Sequence, residues 1–138
     1  MYKNRFSFKV RYEETDRMGI VYHSNYIVWF DMGRTEFLRA LGYAYSDLEK
    51  EGVWLPIIEV GCTYKNPAKY DEEVTVETHI EELTRVKIRF GYKVYRGEEL
   101  LVEGFTVQAF TTDKLKPIGL NRVRPDIYKM LSDAASME

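Results

Sequence analysis

Ser24-Asn25-Tyr26-Ile27-Val28-Trp29-Phe30-Asp31-Met32-Gly33-Arg34-Thr35-Glu36-Phe37-Leu38-Arg39-Ala40-Leu41-Gly42 is the stretch that decides the fold. Tyr26, Phe30, Gly33, Phe37 and Leu41 recur at the spacing of one helical stripe. Ser24 or Asn25 supplies an N-cap, and Gly42 a C-terminal stop. The first half is apolar nearly all round, through Tyr26, Ile27, Val28, Trp29, Phe30 and Met32. A helix lying on a surface keeps a polar face, so this one is predicted to be wrapped on several sides. Gly33 lies on the same stripe and predicts a close approach of the helix backbone to a strand.

Working outward, the sequence supplies the wrapping. Upstream, Phe6, Phe8, Val10 and Tyr12 alternate with Arg5, Ser7, Lys9 and Arg11, the pattern of a half-buried strand. Residues 13–19 then form a polar loop ending at Gly19. Downstream comes a short helical segment, Ser46–Glu51, and then four alternating runs. These are Ile58, Val60, Cys62 and Tyr64; Val74, Val76, Thr78 and Ile80; Val86, Ile88, Phe90, Tyr92 and Val94; and Phe105, Val107 and Ala109. Turn residues at Asn66-Pro67, Thr84-Arg85 and Arg96-Gly97 join them, which predicts an antiparallel meander. Asp126–Ala134, after Pro125, reads as a terminal helix. One long apolar helix and a run of strands make an α+β domain, read as a single domain over residues 1–138.

Composition sets bounds on function. Lys and Arg number 20 against 22 Asp and Glu, a net charge of −2, which argues against a nucleic-acid binder. Cys62 is the only cysteine, so no intramolecular disulfide can form and a reducing, cytoplasmic setting is expected. No run approaches the ~18 apolar residues a membrane span needs, and Met1-Tyr2-Lys3-Asn4-Arg5-Phe6 lacks the apolar core of a signal peptide.

Several chemistries lack their motifs. The sequence has no G-x-S-x-G, no G-x-G-x-x-G and no P-loop. His23 and His79 are far apart and lack metal-ligand company, so no metal is expected. Cys62, on the apolar face of a strand, reads as a buried structural thiol. What remains is Asp16-Arg17-Met18-Gly19-Ile20-Val21-Tyr22-His23-Ser24-Asn25-Tyr26. A helix start offers unpaired N–H groups and about half a positive charge, which suits a carbonyl oxygen turning into an oxyanion. A carboxylate beside it can attack an acyl carbon or deprotonate water. The same residues also read more plainly, Asp16 as a loop-capping residue and His23 as an ordinary helix-start residue.

The run from Val10 to Tyr26, with Asp31-Met32-Gly33-Arg34-Thr35-Glu36-Phe37-Leu38, resembles the signature of the hydroxybenzoyl-CoA thioesterase family. It is closest to the branch of Tol–Pal-associated acyl-CoA thioesterases. The resemblance continues through Tyr64-Lys65-Asn66-Pro67-Ala68-Lys69-Tyr70-Asp71 to Lys116-Pro117-Ile118. It implies the hotdog fold, a curved antiparallel sheet around a long central helix, and hydrolysis of acyl-CoA to free acid and CoA. It puts the essential carboxylate on Asp16, as nucleophile or general base, and the oxyanion-binding backbone N–H on His23. Gly19, Tyr22, Asn25 and Tyr26 fall on substrate-binding positions. Arg17-Met18 departs from the small residues that relatives often carry there. CoA is then part of the substrate, and no separate cofactor is implied. Basic residues that could meet its phosphates are Lys65, Lys69, Arg85, Lys114, Lys116, Arg122 and Arg124. The resemblance also implies a homodimer or homotetramer with active sites between subunits. Two other readings compete: a hotdog dehydratase or hydratase using His23 with Asp16, and an acyl-CoA-binding protein without activity.

Overall fold

A computed structural model describes residues 1–136 of the chain. In chain order the elements are β1 (Asn4–Lys9), a 3₁₀ turn (Tyr12–Glu14), α1 (Asn25–Ala40), α2 (Tyr45–Lys50), β2 (Ile57–Tyr64), β3 (Glu73–Leu83), β4 (Lys87–Arg96), β5 (Glu99–Ala109), α3 (Leu120–Val123) and α4 (Pro125–Ser136). The strands form one antiparallel sheet in the order β1-β3-β4-β5-β2, and α1 lies across one face of it, the hotdog arrangement.

Three features differ from the sequence reading. The meander holds for β3, β4 and β5, but β2 sits on the far edge beside β5. β1 and β2 occupy opposite edges, so the connection through α1 carries the chain across the sheet. β1 stops at Lys9, because the Val10 N–H turns to Glu72 O (2.9 Å) and residues 12–14 tighten into a turn, leaving Tyr12 exposed. β5 starts at Glu99 rather than near Phe105. A register shift opposite Val94 and Tyr95 buries the neighbours Leu101 and Val102 together, which hides the strand's alternation.

The core forms where α1 meets β3 and β4. Trp29, Phe30, Phe37 and Leu38 pack against a sheet face that includes Val74, Val76, Ile80, Ile88, Phe90 and Tyr92, and all are buried. Phe30 stacks on Tyr92 with centroids 4.5 Å apart, and Phe37 meets Phe90 edge-on at 5.6 Å. Each such ring contributes roughly 1.5–3 kcal/mol of burial. Gly33 makes the approach possible, since a Cβ there would lie 2.6 Å from Thr78 Oγ1 and 2.7 Å from Val76 Cγ1. On the opposite face of the sheet, Arg89 Nε donates to Glu81 Oε2 at 2.8 Å. Glu77 stands opposite Lys93 but pairs with Arg5 Nη2 on β1, also at 2.8 Å.

Among the described residues, the other flank of α1 is left uncovered. Val28 is 48% exposed, and on the edge strand β2 Ile58 and Val60 are 54% and 43% exposed. The apolar girdle of α1 is thus wrapped on one side only.

Candidate active site

Residues 15–21 fold into a small hairpin ahead of α1. Thr15 bridges Val21, Asp16 N–H donates to Ile20 O at 2.8 Å, and Gly19 N–H donates to Asp16 O at 3.1 Å. Gly19 closes the turn at φ +77°, in the left-handed region where a side chain is strained. The Asp16 carboxylate accepts the Met18 N–H at 2.8 Å and stays exposed, so its oxygen is held over its own turn. The hairpin docks on residues 68–69 through Val21 N–H to Ala68 O (2.9 Å) and an Ile20–Lys69 bridge.

The chain then enters α1 through Tyr22, His23 and Ser24. Tyr22 N–H donates to Glu14 O at 2.9 Å, and Asn25 Nδ2 donates to the same oxygen at 2.8 Å. Ser24 is the N-cap residue but makes no capping hydrogen bond with its side chain. Asn25 N–H donates to Tyr22 O at 2.9 Å. In a trans peptide the N–H points opposite to the C=O, so that bond turns the His23 N–H away from the helix. The N–H groups of His23 and Ser24 have no acceptor among the described residues. Together with the positive end of α1 they can stabilise developing negative charge. From the other side, Tyr64 Oη donates to His23 O at 3.0 Å and fixes the next peptide plane.

Beside this turn lies a pocket of about 290 Å³ lined by Ile20, Val21, His23, Tyr26, Tyr64, Lys65, Asn66 and Pro67. Its aromatic wall is braced: Tyr64 meets Tyr26 at 5.5 Å and His23 at 6.3 Å, both edge-on, and the His23 ring lies 4.4 Å from Tyr22. Tyr26 Oη accepts the Ala68 N–H at 3.0 Å. Desolvation lifts the Tyr26 hydroxyl above its ordinary value and, with Cys62 close by, pushes that of Tyr64 up to about 12. Both therefore stay protonated at neutral pH. Partial burial also raises the Cys62 thiol, so it too stays protonated at neutral pH.

The predicted residues divide in space. His23 and Tyr26 line the pocket, while Asp16 and Gly19 sit in the hairpin whose stem, Ile20 and Val21, forms part of its wall. Tyr22 is exposed beside His23, and Asn25 is turned back to Glu14. Of the basic candidates, Lys65 lines the pocket and Lys69 pairs with Ile20 beside it. Arg85, Lys114, Lys116, Arg122 and Arg124 belong to the opposite end of the sheet, where Arg85 O accepts from Leu120 N–H and Val86 O from Phe110 N–H. Arg124 is also paired with Glu51 and Asp126. Tyr64, Glu14 and Trp29 are contributors that spacing did not single out. No group of His, Cys, Asp or Glu suited to a metal ion occurs among the described residues.

Comparisons with known proteins place the chain among thioesterases. The family model of the thioesterase superfamily matches residues 18–103. A putative acyl-CoA thioesterase of Bacillus subtilis, YneP, is 41% identical over 91% of this chain and 93% of its own length. The Haemophilus influenzae acyl-CoA thioesterase YbgC is 35% identical over 86% of this chain and 90% of its own. The crystal structure of a DHNA-CoA thioesterase from Staphylococcus aureus superposes with a TM-score of 0.91 at 34% identity, over 96% of this chain and 91% of that one.

Proposed function

Since the chain belongs to the thioesterase superfamily and hydrolyses acyl-CoA thioesters, we propose that Asp16 and the backbone N–H of His23 carry the reaction. The observation that carries this reading is the unclaimed N–H of His23, a residue that lines an aromatic-walled pocket next to the hairpin that holds Asp16.

The thioester carbonyl oxygen sits against the N–H groups of His23 and Ser24, with the positive end of α1 behind them. Charge builds on that oxygen as the carbonyl carbon becomes tetrahedral, so the interaction strengthens toward the transition state. Two routes then lead to product. In one, an Asp16 oxygen bonds to the acyl carbon, the C–S bond breaks, CoA leaves as thiolate, and water cleaves the mixed anhydride. In the other, Asp16 takes a proton from water as that water attacks the same carbon; the tetrahedral adduct then collapses, the C–S bond breaks, and the thiolate of CoA leaves and takes up the proton. The Met18 N–H holds Oδ1 alone, at 2.8 Å, so in both routes the other oxygen, Oδ2, can act while that bond stays in place. The His23 ring, held against Tyr22 and Tyr64, orients the substrate. Lys65 and Lys69 on the rim meet the phosphates of CoA.

A second copy completes the site. One chain offers a pocket of about 290 Å³, at the low end for a small-molecule site and small for acyl-CoA. Beside it the edge strand β2 leaves its outer hydrogen-bonding groups free and its apolar side chains exposed, and such an edge invites pairing. We read the protein as a homodimer joined at this flank, with further pairing to a homotetramer. No helix among the described residues is long and apolar enough to cross a membrane. The lone Cys62 fits the reducing cytoplasm.

The test is thiol release from a panel of saturated, unsaturated and aromatic acyl-CoAs, with double-bond absorbance followed alongside. Thiol release that Asp16→Asn abolishes while folding is kept supports the reading. Hydration without thiol release points to a hydratase, binding alone to a carrier, and equal rates for both variants remove Asp16 from the mechanism. Labelled water under single turnover tests the first route: label in Asp16 marks an anhydride that water cleaves at the aspartyl carbon.

A further inference from the structure

Two residues ahead of Asp16, a carboxylate is buried where no step of the reaction uses it. Glu14 is 5% exposed although it belongs to a short surface turn. Its Oε2 accepts from the Trp29 indole Nε1–H at 2.7 Å, and its Oε1 accepts from the Arg11 N–H at 2.9 Å. The Arg11 guanidinium lies 3.6 Å from Oε1 but is largely exposed. A buried carboxylate is costly unless hydrogen-bonded, and both oxygens here are bonded, each to a group that holds a different part of the chain. The backbone carbonyl of Glu14 adds two more ties, from Tyr22 N–H and Asn25 Nδ2.

These bonds converge on one residue and join three pieces. Arg11 ends the approach from β1, Tyr22 and Asn25 bracket the helix start, and Trp29 is fully buried one helical turn further along α1. Trp29 is itself held by Phe8 of β1 (5.1 Å) and Tyr26 (4.9 Å), both edge-on. The base of the Asp16 hairpin is thereby fixed to the same helix that presents the His23 N–H.

We propose that Glu14 is a positioning residue for thioester hydrolysis, setting the distance and angle between the Asp16 hairpin and the tip of α1 through its bonds to Trp29, Tyr22 and Asn25. The proposal rests on the reading that Asp16 and the helix tip do the chemistry. It assigns Glu14 no contact with substrate. Loss of its bonds therefore loosens the reacting geometry and leaves the pocket that binds the substrate in place.

The test compares wild type, Glu14→Gln, Trp29→Phe, the double variant and Asp16→Asn in steady-state thiol release with an acyl-CoA that the wild type turns over. Thermal unfolding and the indole N–H resonances of Trp29 and Trp54 are recorded for each. Gln keeps the volume of Glu but has one acceptor oxygen, so one of the two donors faces an amide NH₂. Glu14→Gln is expected to lower kcat about 10- to 100-fold, the scale of a misplacement near 1 Å, with KM within about twofold and the Trp29 resonance displaced. Trp29→Phe, which keeps the carboxylate but removes the donor, is expected to move kcat the same way. The double variant is expected to fall no further than the worse single one, as for two ends of one interaction. A displaced Trp29 resonance with wild-type kcat overturns the proposal, as does a loss that rises additively in the double variant, or one that appears in KM alone. If Glu14→Gln does not fold, Trp29→Phe decides: wild-type kcat there overturns the proposal and a kcat-specific loss supports it. Asp16→Asn separates the two levels. Activity surviving in it overturns the underlying reading, whereas its inactivity beside a fully active Glu14→Gln overturns only the role of Glu14.

Discussion

The two flanks of α1 are built on opposite terms. Toward β3 and β4 the helix packs as closely as backbone allows, with Gly33 against Val76 and Thr78 and Phe30 stacked on Tyr92. Elsewhere the same helix leaves Val28 half exposed, and on the edge strand β2 Ile58 and Val60 are half exposed as well. The closed flank holds the fold together. The open flank carries the pocket and an unpaired strand edge. The difference teaches that the apolar girdle of α1 is satisfied on one flank within the chain and stays uncovered on the other, the flank to which the proposed substrate and second copy are assigned.

Four experiments break or sharpen that contrast. Asp16→Asn acts at the open end, where it should cost at least about 100-fold in thiol release, the usual scale for losing a catalytic carboxylate, with little change in unfolding temperature. Gly33→Val acts on the closed flank and should destabilise by about 2–3 kcal/mol through overpacking, read by denaturant unfolding. An unchanged midpoint would mean that the close helix–strand approach is not needed. Val60→Arg tests the edge strand. In an isolated chain it should stay within about 0.5 kcal/mol of wild type, whereas in an assembly joined there it buries an unpaired charge. Light scattering should show smaller particles and the activity should fall with them; an unchanged mass rules out β2 as the contact.

The smallest effect concerns His79, on the face of β3 turned away from α1. Burial lowers its pKa below the ordinary 6.5, while Glu81 pulls the other way. The unfolded chain therefore takes up this proton first as the pH falls. The stability carried by neutral His79 is complete above pH 6.5, declines below it, and levels off once the folded form is charged as well. Unfolding free energies from pH 5 to 8 should show an acid-side loss under about 1 kcal/mol that His79→Gln flattens. An equal slope in both proteins would remove His79 as its source.

Much of this was legible in the residues. The stripe from Tyr26 to Leu41 gave the central helix nearly to its ends, and period-two runs located β1 to β4. Gly33 announced its close contact. β5 was half hidden because a bulge buried Leu101 and Val102 side by side. Asn25 read as an N-cap or substrate contact, but its amide turns back to Glu14 O. Tyr64 read as one more apolar strand residue, yet its hydroxyl reaches His23 O from 41 positions away.

The sequence by itself determined the helix, the strands and the turn that holds Asp16, because these follow from side-chain periodicity and turn preference over a few neighbouring residues. Only the tertiary structure decided that β2 lies on the far edge, that a buried Glu14 locks the hairpin to Trp29, and that one flank of α1 stays open. Those outcomes depend on which distant segments meet. Local spacing carries no record of a hydrogen bond between residues 15 positions apart, nor of a surface that the described residues leave uncovered.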